Sequence, residues 1–252
     1  MKGVLMKAKK ILVFLFLNTL VLAGLWSFSF EPISRSFTPS GRGATQSFRL
    51  KNDGQDYIAI RISMFTRRID SDGQEAREAA DELFTVYPRQ VVLKPESVQT
   101  VRVQWKGPAD ISSEQAYRIL IEQVPVDFGG EAATDSGIQI LFRYLGAIYI
   151  CPPEASADVV VQKAEISGGE GSETLEISLH NRGNKHSILN DLNISIRSAV
   201  NGAVLLEYPP ELLGGINGEN LLAGGTRTVR LKIPEGFEKG PLDVELSYDS
   251  EN

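Results

Sequence analysis

The stretch "SGIQILFRYLGAIYICPPEA", residues 136–155, decides the fold of this protein. From Ile138 onward it is almost entirely apolar or aromatic, it carries a single charge at Arg143, and it stops at Pro152–Pro153. A strand with one buried face needs apolar residues only at alternate positions, so a strand with two apolar faces must be covered on both sides. We therefore expect this strand to contact its own domain on one face and a second partner, from this chain or another, on the other.

The residues before this stretch form short segments of strand-like alternation separated by turn signals. Residues 57–65 alternate large apolar side chains with small or polar ones, as a half-buried strand does. Similar segments cover residues 47–50 and 116–128, and two more flank the turn at residues 94–96. Only residues 74–84 have a helix-like pattern, and that segment is short enough for a loop turn. About six strands at intervals of about ten residues indicate an antiparallel β-sandwich.

The pair Pro152–Pro153 interrupts this pattern and predicts a hinge between two domains, because proline cannot donate to a strand ladder and stiffens the chain. Strand-sized runs separated by Gly, Asn or Pro resume beyond it, and they predict a second, smaller sandwich. The expected architecture is all-β, with an N-terminal domain at residues 28–152 and a C-terminal domain at residues 153–252.

The first residues have the composition of a secretory signal peptide. Four lysines precede an apolar run from Ile11 to Leu22, and the small residues Ala23, Gly24 and Ser27 follow it. An uncleaved anchor is the alternative, but a membrane span needs about 18 or more apolar residues, and Asn18–Thr19 interrupt this run. We expect residues 1–27 to be a signal peptide, cleaved between Ala23 and Ser27, with no membrane span left after cleavage.

Charge and cysteine content restrict the possible partners and the source of stability. Removal of the leader takes away four lysines and no acidic residue, so the formal net charge changes from −6 to −10. An acidic exported chain without a basic cluster argues against nucleic acid as a partner. Cys151 is the single cysteine, so no internal disulfide can form. About 225 mature residues are enough for two domains that each bury a core of their own.

The sequence offers little catalytic or metal-binding chemistry. The two histidines, His180 and His186, have no third and fourth metal ligand at a sensible spacing. A nucleophile-elbow pattern is absent, and no glycine-rich phosphate loop follows a strand. The charged run "DSDGQEAREAADE", residues 70–82, is interpreted as a solvated loop, and Cys151 as a small buried residue in the hinge. We therefore expect a protein that is not an enzyme and has neither a metal site nor a cofactor.

Several segments in order along the chain carry a family resemblance. They are "SRSFTPSGRGATQSFRLKNDG" (34–54), "LFTVYPRQVVLKPESVQTVRVQW" (83–105), "SEQAYRILIEQVP" (113–125), "GIQILFRYLGAIYI" (137–150) and "LHNRGNKHSILNDLNI" (179–194). Together they resemble the periplasmic chaperones of pilus (fimbrial) assembly, particularly the archaic or alternative branch of chaperone-usher systems. The resemblance implies two immunoglobulin-like sandwiches in a boomerang arrangement, located in the periplasm, with pilus subunits and an outer-membrane usher as partners.

The resemblance also implies a donor strand in the first domain. In this family the subunit lacks one strand of its sandwich, and the chaperone lends its own by β-augmentation. The implied donor side chains are Ile138, Ile140 and Phe142, with Tyr144 as a further candidate. A period of two places these side chains on one strand face, and Leu141 with Leu145 on the opposite face.

The family further holds the terminal carboxylate of the subunit with basic residues. Arg118 is the first candidate for this anchor, Arg35 matches the first-strand arginine of better-known members, and Arg143 lies on the donor strand itself. The lysine that those members place late in the donor strand has no counterpart in "YLGAIYI", residues 144–150. The competing hypothesis for the whole chain is a two-domain immunoglobulin-like surface or adhesive structural protein.

Overall fold

The computed structural model describes residues 28–126, 141–168, 173–234, 237 and 240–249, and these residues form an all-β protein. Helical structure among them is confined to three single 3-10 turns, at Arg42–Ala44, Asp81–Leu83 and Pro210–Leu212. None of the described residues belongs to a helix that could cross a membrane. The all-β class expected from the sequence is confirmed.

The N-terminal half is a sandwich of two sheets. One sheet has four strands in the order β1-β3-β9-β7, and the other has five in the order β2-β11-β10-β4-β8. A two-stranded hairpin, β5-β6, lies apart from both sheets. The strands are β1 Phe28–Glu31, β2 Ser34–Phe37, β3 Thr45–Asn52, β4 Ile58–Thr66, β5 Arg68–Ile69, β6 Glu75–Ala76, β7 Phe84–Tyr87, β8 Gln90–Leu93, β9 Ser97–Trp105, β10 Gln115–Val124 and β11 Arg143–Ile150.

Alternation along these strands produces the first core. In β10, Tyr117, Ile119 and Ile121 are buried between the sheets, and the residues between them lie on the outer face of the five-stranded sheet. Aromatic side chains fill much of the space, and Phe84, Trp105 and Tyr117 pack with ring centroids 5.1 to 5.4 Å apart. The strands expected from the alternation at residues 47–50 and 57–65 are confirmed as parts of β3 and β4.

The C-terminal half is a second, smaller sandwich with a core of its own. Its sheets have the orders β12-β13-β18 and β16-β15-β19, and β14 pairs with β17 beside them. Ile177, Ile194 and Val229 are among the buried residues of this core. The two-sandwich architecture is therefore confirmed. The strands are β12 Val159–Ser167, β13 Thr174–Asn181, β14 Ser187–Ile188, β15 Asn190–Ser198, β16 Val204–Tyr208, β17 Asn220–Leu221, β18 Thr226–Lys232 and β19 Leu242–Asp249.

The segment at residues 74–84 is not an α-helix. It contains β6, a single bridge between Phe65 and Ala79, and the 3-10 turn Asp81–Leu83. The carboxylate of Asp81 accepts a hydrogen bond from the backbone N–H of Met64 at 3.0 Å, and Ala80 is fully buried. Pairing with the end of β4 therefore decides the conformation of this segment, against the helix-favouring Ala and Glu in it.

Several sets of contacts connect the sandwiches besides the chain itself. The chain passes from β11 to β12 through residues 151–158, which include Pro152–Pro153. The first set lies at the start of β10, where the Glu114 N–H donates to the carbonyl of Asn184 at 2.9 Å. The second lies at the tip of the β5-β6 hairpin, where the Thr228 N–H donates to the carbonyl of Ser71 at 2.7 Å. The domain boundary at residues 152 and 153 stays a prediction.

Candidate functional site

The outer face of the five-stranded sheet carries the charged side chains of interest. Arg118 on β10 lies opposite Ala147 on β11 and opposite Phe65 on β4. Its neighbour Ile119 is fully buried in the core, so Arg118 points away from the core. Arg118 therefore lies on the outer face of the sheet, as do Leu145 and Tyr149, of which Tyr149 is itself buried.

Arg118 is paired with Glu75 of the β5-β6 hairpin. Its Nε lies 3.0 and 3.1 Å from the two oxygens of the Glu75 carboxylate, and its Nη2 lies 2.5 Å from Oε2. Arg67 donates from Nε to the same Oε2 at 2.9 Å. The exposed side-chain fractions are 17% for Arg118, 9% for Arg67 and 21% for Glu75, so all three groups are largely removed from solvent. Two guanidinium groups thus converge on one carboxylate.

The two arginines determine the ionisation of Glu75. Partial burial opposes the charged form and by itself would raise the pKa of this carboxyl group. The hydrogen bonds and positive charges of Arg118, and then those of Arg67, outweigh the burial, so the pKa of Glu75 lies below its ordinary value of 4.5. Glu75 is therefore a carboxylate at neutral pH.

Tyr149 connects this ion cluster to the second sandwich. Arg67 Nη1 donates to the Tyr149 hydroxyl at 2.8 Å, and Asn220 Nδ2 of β17 donates to it at 2.7 Å. The Tyr149 ring stacks on the ring of His186, with centroids 3.9 Å apart and planes 12° apart. Burial raises the pKa of Tyr149, so its hydroxyl is neutral and can accept both hydrogen bonds. We call the group formed by Arg67, Glu75, Arg118 and Tyr149 the corner cluster.

A buried acid lies beside the corner cluster. The side chain of Glu114 is 1% exposed, and its Oε1 lies 2.7 Å from His186 Nδ1. The same oxygen accepts a hydrogen bond from the backbone N–H of His186 at 3.1 Å. Because Glu114 belongs to the first sandwich and His186 to the second, this pair joins the two halves in a dry environment.

Arg143 lies on the same sheet face as Arg118 but in a different ion cluster. Its Nη2 is 3.3 Å from Glu122 Oε2, and Arg61 Nη2 is 2.6 Å from Glu122 Oε1. Arg143 pairs in register with Glu122, four positions along β10 from Arg118, which corresponds to about 13 Å along a strand. The structure therefore does not bring Arg143 together with Arg118.

Arg35 points to the opposite side of the sheet. It pairs with Ile148, whose side chain is fully buried, and its Nη2 donates to the carbonyl of Ser47 at 3.4 Å. Arg118 pairs with Ala147, the neighbour of Ile148, so the two arginines leave the sheet in opposite directions. Of the three predicted anchor residues, only Arg118 belongs to the corner cluster.

The predicted orientation of Phe142 and Tyr144 is wrong. Both side chains pack against the core of the first sandwich. The Tyr144 ring meets Phe28 edge to face at 4.9 Å, and its hydroxyl donates to the carbonyl of Phe28 at 2.5 Å. Leu141, expected on the inner face, is 42% exposed. The predicted donor residues Ile138 and Ile140 lie outside the described residues.

One edge of β11 is only partly paired. Ser34–Phe37 of β2 run parallel to residues 147–150, whereas Arg143–Gly146 have their described pairing partners on β10 alone. The N–H of Ala147 donates to Ile33 and that of Cys151 to Phe37, so odd-numbered residues direct their amides toward the β2 side. By the same period the amides of Arg143 and Leu145 point to that side, beyond the end of β2. We call residues 143–146 on this side the open edge.

Arg67 and Glu75 are not among the site residues predicted from the sequence. Both lie in or next to the charged run at residues 70–82, which was interpreted as solvated. The one local feature that could have pointed to these two residues is the end of β4 just before Arg67. A hairpin that follows a strand can fold back over the same sheet and bring its side chains to the outer face of that sheet. That signal does not reveal which acid meets which arginine, since the pairing with Arg118 spans 43 residues.

The described residues contain no cluster of His, Cys, Asp and Glu suited to a metal ion. Cys151 is partly buried, and burial followed by the nearby Glu114 charge raises the pKa of its thiol. A raised pKa makes the thiol a weaker nucleophile at neutral pH, consistent with a packing role.

Comparison with known proteins relates this arrangement to a family. Residues 37–154 match the model of the "Pili and flagellar-assembly chaperone, PapD N-terminal domain". The curated proteins give no match. The family description names an assembly chaperone, which supports the prediction that the chain is not an enzyme.

Solved structures of fimbrial chaperones share the fold over most of the chain. The class 5 fimbriae chaperone CfaA is 16% identical, with a TM-score of 0.56 over 88% of this chain and 100% of that one. A chaperone–tip adhesin complex of CFA/I fimbriae biogenesis contains a chain that is 18% identical, with a TM-score of 0.56 over 87% and 98%. The CsuC–CsuE pre-assembly complex of archaic Csu pili from Acinetobacter baumannii contains a chain that is 14% identical, with a TM-score of 0.57 over 83% and 89%. Residues 37–154 of this chain are thus similar to the N-terminal domain of pilus and flagellar-assembly chaperones, and the chain shares the two-sandwich fold of these solved fimbrial chaperone structures.

Proposed function

We propose that this protein is a periplasmic chaperone that binds unassembled pilus subunits by donor-strand complementation and delivers them to an outer-membrane usher. The open edge of β11 is the observation that carries the proposal. An unpaired strand edge offers N–H and C=O groups to an added strand, and proteins usually cover or interrupt such edges. Here the edge ends in the apolar stretch that begins at Ile138.

Augmentation at this edge supplies two kinds of recognition. Main-chain hydrogen bonds from Arg143 and Leu145 provide affinity that does not depend on the sequence of the subunit. Side chains supply specificity: Ile138 and Ile140 are the predicted donors, and Leu141, exposed on the opposite strand face, is the alternative that the structure adds. Arg118, at the end of the open edge, is the proposed anchor for the subunit's terminal carboxylate.

A proline at Leu145 tests the main-chain contribution. The Leu145 N–H faces the open edge, so Leu145→Pro removes a donor that the ladder with β10 does not use, and proline is tolerated at such edge positions. We expect the variant to fold, as judged by circular dichroism and thermal unfolding, and to recover no subunit on co-expression with pilus subunits.

Leu145→Ala is the matched control, because it shortens the same side chain and keeps the N–H. We expect it to recover the subunit at a yield close to that of the wild type. Undiminished recovery of subunit by folded Leu145→Pro would show that the open edge is not the binding edge. Failure of the wild-type chain to recover any subunit would count against the chaperone function itself.

A further inference from the structure

The corner cluster is a complete carboxylate-binding site whose ligand is part of the chain. Arg118 contacts both oxygens of the Glu75 carboxylate, and Arg67 donates a further hydrogen bond to Oε2. Charge-assisted contacts of this kind are the strongest hydrogen bonds that a protein offers to a carboxylate. The Arg67 guanidinium also donates a hydrogen bond from Nη1 to the Tyr149 hydroxyl, which orients its Nε–H toward the carboxylate.

Burial explains why such a site needs an occupant. Arg67 is 9% exposed and Arg118 is 17% exposed, and a guanidinium that is largely removed from water is strongly unfavourable without a counterion. The Glu122 cluster on the same face is different, because its arginines are 52% and 71% exposed and water can solvate them. Of these two clusters, the corner cluster is therefore the one that combines two shielded arginines with a single shared carboxylate.

The position of Glu75 makes its carboxylate exchangeable. It lies on the two-stranded β5-β6 hairpin, outside both sheets of the first sandwich. The tip of that hairpin is held to β18 by the backbone bond from Thr228 to Ser71 and by the exposed ion pair of Arg230 with Asp72. Exposed ion pairs contribute little to stability, so the backbone hydrogen bond is the main described contact that holds the hairpin tip to β18.

We propose that Glu75 is an internal substitute for the subunit's terminal carboxylate, and that Arg67 is the second guanidinium of the anchor beside Arg118. The proposal rests on the proposed function, because it identifies how the subunit-binding site is filled when no subunit is present. Loading then exchanges one carboxylate for another, and the two arginines keep a counterion throughout. The internal carboxylate lowers the apparent affinity for every external one, which favours subunits that also bind the open edge.

The test uses N-acetylglycine, a small molecule with the terminal carboxylate of a peptide, and N-acetylglycinamide, which lacks the charge. Binding is followed by the NMR signals of the Arg67 and Arg118 Nε–H groups in the mature chain at neutral pH. In Glu75→Gln we expect N-acetylglycine to shift both signals with a dissociation constant about ten-fold or more below that of the wild type. N-Acetylglycinamide should shift neither signal.

Two further variants make the result interpretable. Glu78→Gln removes the same charge three positions away, from an exposed pair with Arg68, and should leave the binding of N-acetylglycine at the wild-type level. If Glu75→Gln does not fold, Glu75→Asp keeps the charge but shortens its reach, and it should also bind N-acetylglycine more tightly than the wild type.

Equal affinity of wild type and Glu75→Gln for N-acetylglycine would overturn the proposal and make Glu75 a structural counterion. A shift of the Arg118 signal alone would remove Arg67 from the anchor. These results are independent of subunit recovery by the wild type, which tests the proposed function. A chain that recovers subunits but shows no effect of Glu75 would refute this inference alone.

Discussion

Among single residues, Glu75 has the most unusual environment on the outer sheet face. Its carboxylate is shared by two largely buried arginines, and a third arginine, Arg77, approaches its other oxygen at 3.6 Å. Removing one partner of a shielded ion pair leaves an uncompensated charge, which costs more than the pair contributes. Neutral substitutions at Glu75 and at Arg118 should therefore affect folding stability as well as binding.

The first prediction concerns the pH dependence of this contribution. Because the folded pKa of Glu75 is lowered, the folded state favours the ionised form more strongly than the unfolded state does. The stabilisation by Glu75 is thus complete above the ordinary pKa of 4.5 and is lost as pH falls through the lower folded value. Urea unfolding of wild type and Glu75→Gln should show a constant difference in free energy near neutral pH and a shrinking one below about pH 4.5. A difference that does not change with pH would contradict this assignment.

The second prediction separates the two faces of the strand that leads into β11. Phe142 packs against the first core, so Phe142→Asp should lower the free energy of unfolding by about 3 to 5 kcal/mol. Leu141 is 42% exposed, so Leu141→Asp should change stability by less than about 1 kcal/mol. Leu141→Asp should nevertheless reduce subunit recovery, because a carboxylate would enter an apolar groove. Thermal unfolding measures the change in stability, and the yield of co-purified subunit measures binding. A destabilised Leu141→Asp together with a stable Phe142→Asp that does not bind subunit would mean that Leu141 faces the core and Phe142 faces the subunit.

At the scale of elements, β11 has two halves with different surroundings. Residues 147–150 lie between β2 and β10, whereas residues 143–146 have described pairing partners on β10 alone. Residues 143–146 can therefore accept another strand on the β2 side. Residues 147–150 hold β11 within the sandwich. Such a division leaves one half of β11 available for pairing without exposing the whole strand to edge-to-edge association.

Hydrogen exchange should reveal this division amide by amide. In the free protein the amides of Arg143 and Leu145 should exchange rapidly, and the amide of Ala147, which donates to Ile33 at 2.8 Å, should be protected. Binding of a subunit should protect Arg143 and Leu145 and leave Ala147 unchanged. Protection of Arg143 and Leu145 already in the free protein would show that their amides have a partner within the chain.

For the whole molecule, the connection between the sandwiches depends on a few buried polar contacts. Glu114 accepts hydrogen bonds from the backbone and the ring of His186, and Tyr149 stacks on that ring. These groups lie next to the corner cluster, so the orientation of the second sandwich and the geometry of the proposed anchor share Tyr149 as a common residue. A substitution at Glu114 should therefore also change the geometry of the proposed anchor.

The fourth prediction tests this connection. Glu114→Ala leaves two buried donors of His186 without an acceptor and should lower the free energy of unfolding by about 1 to 3 kcal/mol. It should also increase proteolytic cleavage in residues 151–158, since the two halves lose a contact beside that segment. Asp158→Asn is the control, because Asp158 pairs with Arg182 at the surface, and it should change stability by about 0.5 kcal/mol or less. Equal effects of the two variants in urea unfolding and limited proteolysis would contradict a special role for Glu114.

The sequence alone was sufficient for the all-β class and for two sets of strands on either side of Pro152–Pro153. Alternation at period two is local, so it can be recognised in β3 and β4 without knowledge of their partners. The resemblance named the family whose N-terminal domain model matches residues 37–154.

Only the tertiary structure decided which way the strand faces point and which charges meet. Period two shows that Phe142 and Tyr144 share a face, but the order of strands in the sheet determines that this face covers the chain's own core. The contact of Glu75 with Arg118 spans 43 residues of sequence. It forms because the β5-β6 hairpin returns over the outer face of the five-stranded sheet. Such a contact depends on long-range packing, and no local pattern in a charged run distinguishes it from a solvated loop.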